Sequence, residues 1–381
     1  MATGLEAVNL TKRFGSGAET VTAVDNISFA IEEGELFSLL GESGCGKTTT
    51  LRMIAGLEPV TEGMILFSGQ NYTHVPSNKR NIGMVFQSYA LYPHMSVFEN
   101  VAYGLRVRRV TTREVSRKVS EALDIVDLPP DKFAQRRPSE LSGGQQQRIA
   151  LARALVYDPK LLLFDEPLSN LDAKLRVYMR EEIRKVQQRA GITAIYVTHD
   201  QEEALVISDR IAVMFDGVIE QVGTPVEVYD SPNTVKVADF IGKANLIPAR
   251  LKDRGARSAT AKLPSGDVVQ GRILSSDVPV NADVTIMIRP ERLQLQTLGN
   301  GRATSVNATP SVNTLSAEVQ ALTYLGSRTR YVLLTSFGTE LTLDSVRLHG
   351  TAKPGTEVVV TFESDEALLL PSARADHEPH A

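Results

Sequence analysis

The most informative segment of this chain reads Gly41-Glu42-Ser43-Gly44-Cys45-Gly46-Lys47-Thr48. It fits the pattern G-x-x-x-x-G-K-[S/T] of a phosphate-binding loop. Glycines let the backbone bend until successive N–H groups point at phosphate oxygens, and a following helix adds a partial positive charge at its N-terminus. The Lys47 ammonium can reach the outer phosphates, and the Thr48 hydroxyl can ligate Mg²⁺. The stretch therefore predicts a site for a triphosphate with Mg²⁺.

The residues around this loop predict an α/β domain. Glu35–Leu40 reads as a short buried strand before the loop, and Thr48–Ala55 reads as a helix after it. Up to about residue 237, apolar runs typical of a parallel sheet buried on both faces alternate with helical stretches. The other predicted strands are Ile82–Phe86, Leu161–Phe164, Thr193–Thr198 and Ile211–Phe215, and the other predicted helices are Thr112–Val126, Gly144–Val156, Ala173–Ala190 and Gln201–Val206.

The chain changes character after about Asp239, where short strand-like runs replace helical periodicity. Such runs predict one or two small barrels. A stretch rich in Gly, Ser, Thr and Asn, Gly299–Asn313, reads as a connector, and the tail is predicted to be disordered. We therefore divide the chain into domains at residues 1–237 and 238–371 and a tail at 372–381. The predicted strands of the second part are Leu246–Leu251, Val268–Ile273, Val284–Ile288, Leu293–Thr297, Glu318–Tyr324, Arg330–Leu334, Glu340–Leu343 and Glu357–Phe362.

Composition narrows the class of protein. The chain has 381 residues, a net charge of −4 and 6% aromatic residues without any Trp, which argues against nucleic acid as the main partner. Its single cysteine, Cys45, excludes an intrachain disulfide framework. The N-terminus lacks the features of a signal peptide, and no apolar run approaches the length of a membrane span. Any work at a membrane would need another polypeptide.

Two acids end the apolar run Lys160–Phe164. Asp165, at the tip of a strand beside a phosphate loop, is well placed to hold Mg²⁺. Glu166 points to another face of the strand and could orient and deprotonate an attacking water. The alternative is a strand end whose acids face solvent, and the neighbouring phosphate loop argues against it.

A second candidate anion site is the pentad Leu141-Ser142-Gly143-Gly144-Gln145, which precedes a predicted helix. Ser142 can cap that helix, and the glycines expose N–H groups at its positive end. The alternative is a simple helix cap.

These motifs together resemble an ATP-binding cassette (ABC) ATPase. Their order and spacing match over about residues 5–237, and the pentad matches the family's LSGGQ sequence, which is its most specific mark. The resemblance implies a P-loop NTPase fold, an ABC nucleotide-binding domain with a helical subdomain, and ATP and Mg²⁺ as cofactors. The matching features are the phosphate loop, Gln87, the pentad, Asp165-Glu166, Leu171-Asp172 and His199.

The resemblance also implies a role for each matching residue. Phe14 would stack on adenine, where many members have Tyr, although it could instead be a small hydrophobic plug. Gln87 would sense Mg²⁺ and the attacking water, Asp172 would link two sites across a dimer, and His199 would contact the γ-phosphate. The implied catalytic residues are Glu166, His199 and Gln87, and the implied metal site comprises Thr48, Gln87 and Asp165. The implied nucleotide-binding residues are Phe14, Gly41, Glu42, Ser43, Gly44, Cys45, Gly46, Lys47, Thr48, Thr49, Ser142, Gly143, Gly144 and Gln145.

In this family two nucleotide domains meet head to tail, and ATP on one phosphate loop is capped by the pentad of the other. The chain carries one copy of each motif, so the resemblance implies a homodimer. ATP would then close the dimer, and hydrolysis would release it.

The C-terminal part resembles the transport-associated OB (TOBE) domain of importer ATPases. The resemblance rests on Phe240-Ile241-Gly242, Asn245-Leu246 and Ile288-Arg289-Pro290-Glu291. It implies a β-rich OB-like domain, two permease subunits, an extracytoplasmic solute-binding protein and a peripheral position on the cytoplasmic face of the membrane. Two roles remain open for this domain. It could regulate the ATPase by sensing a ligand, or it could serve only in dimerisation.

The segment Ser88–Gly104 looks like the surface that receives a permease helix, with Tyr89, Leu91, Tyr92 and Met95 predicted to be exposed unless they pack internally. The amino-acid sequence of this segment favours the polyamine or ferric-iron branch. Sugar, sulfate and phosphonate importers remain alternatives, as does a non-transport ABC ATPase. An exporter ATPase or another P-loop enzyme such as a kinase fits less well, because of the β-rich C-terminal half and the pentad respectively.

Overall fold

The computed structural model describes residues 3–256, 258–275, 277–297, 311–346 and 352–372. The chain divides after Val226 into two compact units. The domain boundary placed between residues 237 and 238 stays a prediction. Apart from Ser372, the predicted disordered tail lies outside the described residues.

The first unit alternates strands and helices as the sequence predicts, and each predicted element is confirmed to within one residue at either end. Its strands are β1 (Thr3–Phe14), β2 (Val21–Glu32), β3 (Leu36–Gly41), β4 (Glu62–Phe67), β5 (Gln70–Asn71), β6 (Ile82–Val85), β7 (Leu161–Asp165), β8 (Thr193–Thr198), β9 (Arg210–Phe215) and β10 (Val218–Gly223). Its helices are α1 (Lys47–Ala55), α2 (Val97–Val107), α3 (Thr112–Ile125), α4 (Pro130–Phe133), α5 (Gly143–Leu155), α6 (Ala173–Ala190) and α7 (Gln201–Ile207).

A six-stranded sheet forms the centre of this unit, in the order β10-β9-β3-β8-β7-β6. The strands are parallel except at the β10–β9 pair. Along β7, Leu161 and Leu163 pack in the cluster that contains α1, whereas Leu162 and Phe164 pack in the cluster that contains α2, α3, α5 and α6. Both faces of β3, β7, β8 and β9 are almost fully buried, which is why these strands read as continuous apolar runs. The carboxyl ends of β3, β8 and β7 meet at one edge of the sheet.

A second, antiparallel sheet in the order β2-β1-β4-β5 covers the α1 side of the central sheet. The sequence analysis did not predict these strands. The pairing of β1 with β2 contains several register shifts, and along β2 the alternation of buried and exposed residues is broken in its first half. Bulges interrupt the period of two on which strand prediction depends.

The helices on the opposite side form one layer around a common core. Helix α3 buries Val115, Val119, Ala122 and Leu123, the spacing of an amphipathic helix. Helix α2 begins with a capping box in which Ser96 and Glu99 satisfy each other's backbone N–H groups. Local signals therefore set where these helices begin and which face they bury.

The second unit is mainly β structure, preceded by α8 (Pro225–Asp230), which crosses the division, and α9 (Val235–Phe240). Five strands close a barrel in the order β11-β12-β13-β20-β14, and five more form a sheet in the order β15-β19-β16-β17-β18. The two share one hydrophobic core. The strands are β11 (Asn245–Arg254), β12 (Ser258–Lys262), β13 (Val268–Ile273), β14 (Asp283–Ile288), β15 (Gln294–Thr297), β16 (Val312–Tyr324), β17 (Thr329–Thr335), β18 (Glu340–Ser345), β19 (Glu357–Glu363) and β20 (Leu368–Pro371).

The prediction that Gly299–Asn313 forms a connector was wrong at its C-terminal end. Residues 299–310 lie outside the described part, but Val312 and Asn313 already belong to β16, where they pair with β19. The polar residues at the start of β16 give no strand pattern in the sequence. The strand forms there because it pairs with β19, which lies some 50 residues further along the chain.

The short helices α8 and α9 are tied to the barrel by Arg289, at the end of β14. Its guanidinium donates to the carbonyl oxygens of Tyr229, Ala238 and Lys243 and stacks on the Tyr229 ring. No described helix is long and apolar enough to cross a membrane.

Candidate active site

The phosphate loop lies between β3 and α1, at the carboxyl edge of the central sheet. Gly44 and Gly46 have φ angles of 88° and 101°, which favour glycine. A Cβ atom on Gly46 would lie 2.5 Å from the carbonyl oxygen of Ala23, so β2 also leaves no room for a side chain there. The backbone of the loop is therefore held in a turn whose N–H groups can face an anion.

Lys47 is buried beneath the loop, at 4% exposure. Its Nζ donates to the carbonyl oxygens of Gly41 and Glu42, at 2.7 Å each. Among the described residues, no carboxylate lies within ion-pair distance of Lys47. Its Nζ also lies 3.7 Å from Cys45 Sγ. A buried ammonium without a carboxylate partner among the described residues is well suited to pair with the full negative charge of a phosphate.

Thr48 and Asp165 meet across the end of the sheet, with 3.3 Å between Thr48 Oγ1 and Asp165 Oδ1. Burial raises the pKa of Asp165, the hydrogen bond from Thr48 opposes that shift, and the charge of Glu166 adds to it. These hard oxygen donors fit Mg²⁺, which binds through one or two protein oxygens together with phosphates and water. In the described part of the chain no group of three or more His, Cys, Asp or Glu side chains could hold a metal, so a cation here would depend on the phosphates.

Replacing Asp165 with Asn is expected to stabilise the nucleotide-free protein while reducing ATP hydrolysis by roughly 100-fold or more. Since burial raises the pKa of Asp165 above its usual 3.8, the folded state binds that proton more tightly than the unfolded state. Its ionisation therefore opposes folding at neutral pH, and this penalty disappears as the pH falls below the unfolded-state pKa. The stabilisation of Asp165→Asn should accordingly be present at pH 7 and shrink in acid.

Thermal unfolding of both proteins between pH 3 and 7 measures this effect, and the exposed Asp158→Asn variant is the control. A difference in stability that does not depend on pH would contradict the raised pKa of Asp165 in the folded protein.

Glu166 leaves the strand in an unusual conformation, with a φ of 46°. Its N–H donates to the Val197 carbonyl at 3.1 Å, and its own carbonyl accepts from the N–H and the hydroxyl of Ser169. A non-glycine residue in the left-handed region is costly and persists where surrounding contacts hold it. The turn brings Glu166 Oε2 to 3.1 Å from His199 Nδ1.

His199 follows β8 in a loop that is anchored on both sides. Thr198 Oγ1 accepts the Asp200 N–H at 2.9 Å and donates to Glu203 Oε2 at 2.8 Å. The buried Tyr196 hydroxyl donates to the same carboxylate at 3.0 Å, and burial raises the pKa of Glu203. These hydrogen bonds anchor the loop, which holds the exposed imidazole of His199 next to Glu166. Sequence reasoning did not identify Glu203, whose only signal was an acid on the apolar side of a short helix.

Gln87 follows β6 and is exposed, and its backbone is tied to the segment before α6. Asn170 Nδ2 donates to the Gln87 carbonyl at 2.8 Å. Asp172, two residues later, caps α6 by accepting the Leu175 N–H at 2.9 Å. Sequence reasoning missed Asn170, although it identified Asp172 beside it. The segment 166–172 therefore connects Glu166, Gln87 and Asp172.

The pentad begins α5, on the face of the sheet opposite α1. The Ser142 hydroxyl accepts the Gln145 N–H at 3.4 Å, and the Gln145 side chain accepts the Ser142 N–H at 3.0 Å. Cβ atoms on Gly143 and Gly144 would lie 3.1 Å from Leu171 and Leu175 respectively. The structure thus packs the pentad against the start of α6, while Ser142 stays exposed.

Phe14 ends β1 with 41% of its surface exposed. One side of its ring faces Lys12, whose Nζ lies 4.7 Å from the ring centroid. Phe14 pairs with Val21 in β2, two residues before Ala23, whose carbonyl packs against the phosphate loop. Strand β2 therefore connects an exposed aromatic ring to the loop.

The expected exposure of Tyr89 was wrong, and the other three predicted contact residues, Leu91, Tyr92 and Met95, are half-buried. Tyr89 is only 8% exposed and belongs to the core of the helical layer. A left-handed turn at Tyr89 directs the ring inward, which sequence spacing did not reveal. A groove of about 310 Å³ nevertheless lies beside it, and it is lined by Phe86, Tyr92, Tyr103 and Tyr157 among others.

Two family profiles match this chain: that of the ABC transporter matches residues 24–169, and that of the TOBE domain matches residues 286–370. The spermidine/putrescine import ATP-binding protein of Rubrobacter xylanophilus is 46% identical over 96% of this chain and 93% of its own length. The Fe(3+) ions import ATP-binding protein of Rhizobium meliloti is 44% identical over 95% of this chain and 96% of its own length.

The chain is also similar to a solved structure of a dimeric protein. A dimeric ATP-binding cassette in a post-hydrolysis state, bound to ADP and Pi, is 33% identical to this chain, with a TM-score of 0.51. The match covers 58% of this chain and 98% of that one. It confirms the predicted fold of the first unit.

Proposed function

Because this chain belongs to the ABC transporter family and is an import ATPase, we propose that it hydrolyses MgATP at the carboxyl edge of its central sheet and thereby drives solute uptake through a separate permease. The observation that carries this proposal is the convergence of two pairs beside the phosphate loop. Thr48 Oγ1 lies 3.3 Å from Asp165 Oδ1, and Glu166 Oε2 lies 3.1 Å from His199 Nδ1.

Each of these groups has a distinct role in the proposed mechanism. The loop N–H groups and Lys47 would bind the phosphates, while Thr48, Asp165 and Gln87 would hold the metal. When bound, Mg²⁺ compensates the charge of the phosphate oxygens. Glu166 accepts a proton from the attacking water, and His199 holds that carboxylate in position and contacts the γ-phosphate. Hydrolysis needs positioning and charge compensation more than covalent chemistry, which this rigid edge supplies.

The proposed working unit is a head-to-tail homodimer. The pentad starts a helix on the opposite face of the sheet from α1, and its described packing is against the start of α6. Its exposed cap, Ser142, is therefore available to a second molecule. The dimeric state of a cassette that is 33% identical to this chain supports a dimer.

The proposed membrane partner is a pair of permease subunits, with this chain bound peripherally on the cytoplasmic side. Support comes from the aromatic groove beside Gln87, in which the rings of Tyr92 and Tyr103 lie 4.8 Å apart. Aromatic residues that are partly exposed in a concave surface are typical of protein contacts. An extracytoplasmic binding protein would deliver the solute.

The proposed solute belongs to the polyamine or ferric-iron branch, because relatives whose names carry those solutes match nearly the whole chain. The TOBE match argues against a non-transport ABC ATPase.

The test is to reconstitute this chain in lipid with the proposed permease and binding protein. We expect one of spermidine, putrescine and Fe³⁺ to stimulate ATP hydrolysis by roughly tenfold, about 1.4 kcal/mol of barrier, while sulfate, maltose and phosphonate do not. The Glu166→Gln complex is the control for contaminating ATPases. Hydrolysis that ignores every solute, or that responds to sulfate or a sugar alone, would overturn the solute assignment.

A further inference from the structure

We propose that Arg153, on the helix that begins with the pentad, is a positioning residue for Gln87. It would act by holding the strained Tyr89–Ala90 turn that follows Gln87. This inference rests on the proposed role of Gln87 and concerns a residue outside the phosphate loop, the pentad and the proposed metal ligands. It makes α5 a direct mechanical connection between the pentad and Gln87.

The turn after Gln87 has a backbone conformation of high energy. Tyr89 and Ala90 are consecutive non-glycine residues in the left-handed region, with φ angles of 59° and 48°. Each such residue is disfavoured by contact between its Cβ and the backbone. The Tyr89 N–H closes the turn by donating to the Phe86 carbonyl at 2.9 Å. The buried Tyr89 hydroxyl has no hydrogen-bond partner among the described residues. Local preferences therefore do not favour this conformation, and tertiary contacts must hold it.

Arg153 supplies that contact from α5. Its Nη1 donates to the Ala90 carbonyl at 2.6 Å, and its Nη2 donates to the Tyr89 carbonyl at 2.9 Å. The guanidinium also lies 5.8 Å from the centroid of the Tyr92 ring. One planar fork thus binds both carbonyls of the strained pair, which a lysine ammonium could not reproduce in that geometry.

The start of the segment is held by a different element. Asn170 donates to the Gln87 carbonyl at 2.8 Å, and it lies between Glu166 and the cap of α6. Residues 87–90 are therefore held at one end by the segment that carries Glu166 and at the other by Arg153. A shift of α5 relative to the central sheet would pull on this segment, so closure of the pentad over ATP would be sensed at Gln87.

The first experiment is a double-mutant cycle between positions 153 and 90. Glycine adopts the left-handed region readily, so Ala90→Gly lowers the strain that Arg153 opposes. We expect Arg153→Gln to lower kcat by roughly tenfold while the KM for ATP changes by less than about twofold, since it removes positioning and leaves binding intact. Arg153→Lys should recover only a minor part of the loss. Adding Ala90→Gly to Arg153→Gln should restore at least about half of the activity, relative to Ala90→Gly alone.

Arg148→Gln is the matched control, because Arg148 is an arginine of the same helix with different partners. It donates to the Val126 carbonyl, the Tyr178 hydroxyl and Glu182. Ala90→Gly should not relieve the loss caused by Arg148→Gln. Equal rescue of both variants, or rescue of neither, would overturn the proposal.

A second cycle tests whether Arg153 acts through Gln87. In a Gln87→Ala background, Arg153→Gln should cost less than about twofold further in kcat, because the group that it positions is already gone. Independent, multiplicative losses would refute the assignment. The 153–90 coupling is also measurable in urea as a free energy of unfolding, without catalysis. A wild-type protein that does not hydrolyse ATP would thus defeat the proposed function, whereas absent coupling in urea would defeat this inference.

Discussion

Replacing Glu166 with Gln is expected to reduce steady-state ATP hydrolysis by roughly 10³-fold, within the range that a general base contributes. Glutamine keeps the size of the side chain and can still contact His199, which lies 3.1 Å from the carboxylate. It cannot accept a proton from water. ATP should therefore bind normally and remain intact, so the closed dimer should accumulate.

Two measurements check this expectation: phosphate release, and the elution volume of the protein on size exclusion with and without ATP. The variant Glu121→Gln, which removes an exposed carboxylate on α3 that pairs with Arg117, controls for the loss of one negative charge. Undiminished turnover by Glu166→Gln would show that another group takes the proton. A variant that stays monomeric in ATP would show that bound, intact nucleotide does not close the dimer.

Mixing two inactive variants is expected to restore activity if each site is shared between two chains. Lys47→Ala removes the phosphate contact of one half-site, and Gly144→Asp places a carboxylate in the pentad of the other. Each homodimer should lose more than about 99% of its activity. In a mixed dimer, one site combines both defects, while the other has an intact loop and an intact pentad. An equal mixture should therefore regain about a quarter of wild-type turnover if the sites act independently.

The structure shows where this experiment needs a second variant. Gly144 is buried, and a Cβ there would lie 3.1 Å from Leu175 and 3.4 Å from Met179, so Gly144→Asp could also disturb folding. Ser142 is exposed, and Ser142→Arg blocks the same surface at the cost of one helix cap, about 1 kcal/mol. Both mixtures, Lys47→Ala with Gly144→Asp and Lys47→Ala with Ser142→Arg, should recover activity. If neither does although all three variants fold, the head-to-tail site is wrong.

Much of the nucleotide site could be predicted from the sequence because its signals are local. The loop pattern, the apolar runs of β3, β7 and β8, and the cap at Ser142 each depend on residues within a few positions of one another. The order of a buried parallel sheet then brings the carboxyl ends of neighbouring strands to one edge. For this reason Thr48, Asp165 and Glu166 could be named from the residues themselves, whereas His199 was named from the family resemblance.

Other features were decided only by tertiary structure. The bulged strands β1 and β2 lack a clean period, and they are held as strands by pairing with each other and with β4. The inward turn of Tyr89 against its local preference depends on Arg153, more than 60 residues away.

Local sequence patterns were enough to predict a triphosphate site on a loop between a strand and a helix, and to identify the family that the chain resembles. The connections between the segments around that loop became visible only in the folded chain. The backbone conformations at Glu166, Tyr89 and Ala90 are unfavourable on their own. Hydrogen bonds from distant segments hold them, and such long-range contacts leave no pattern in the neighbouring residues.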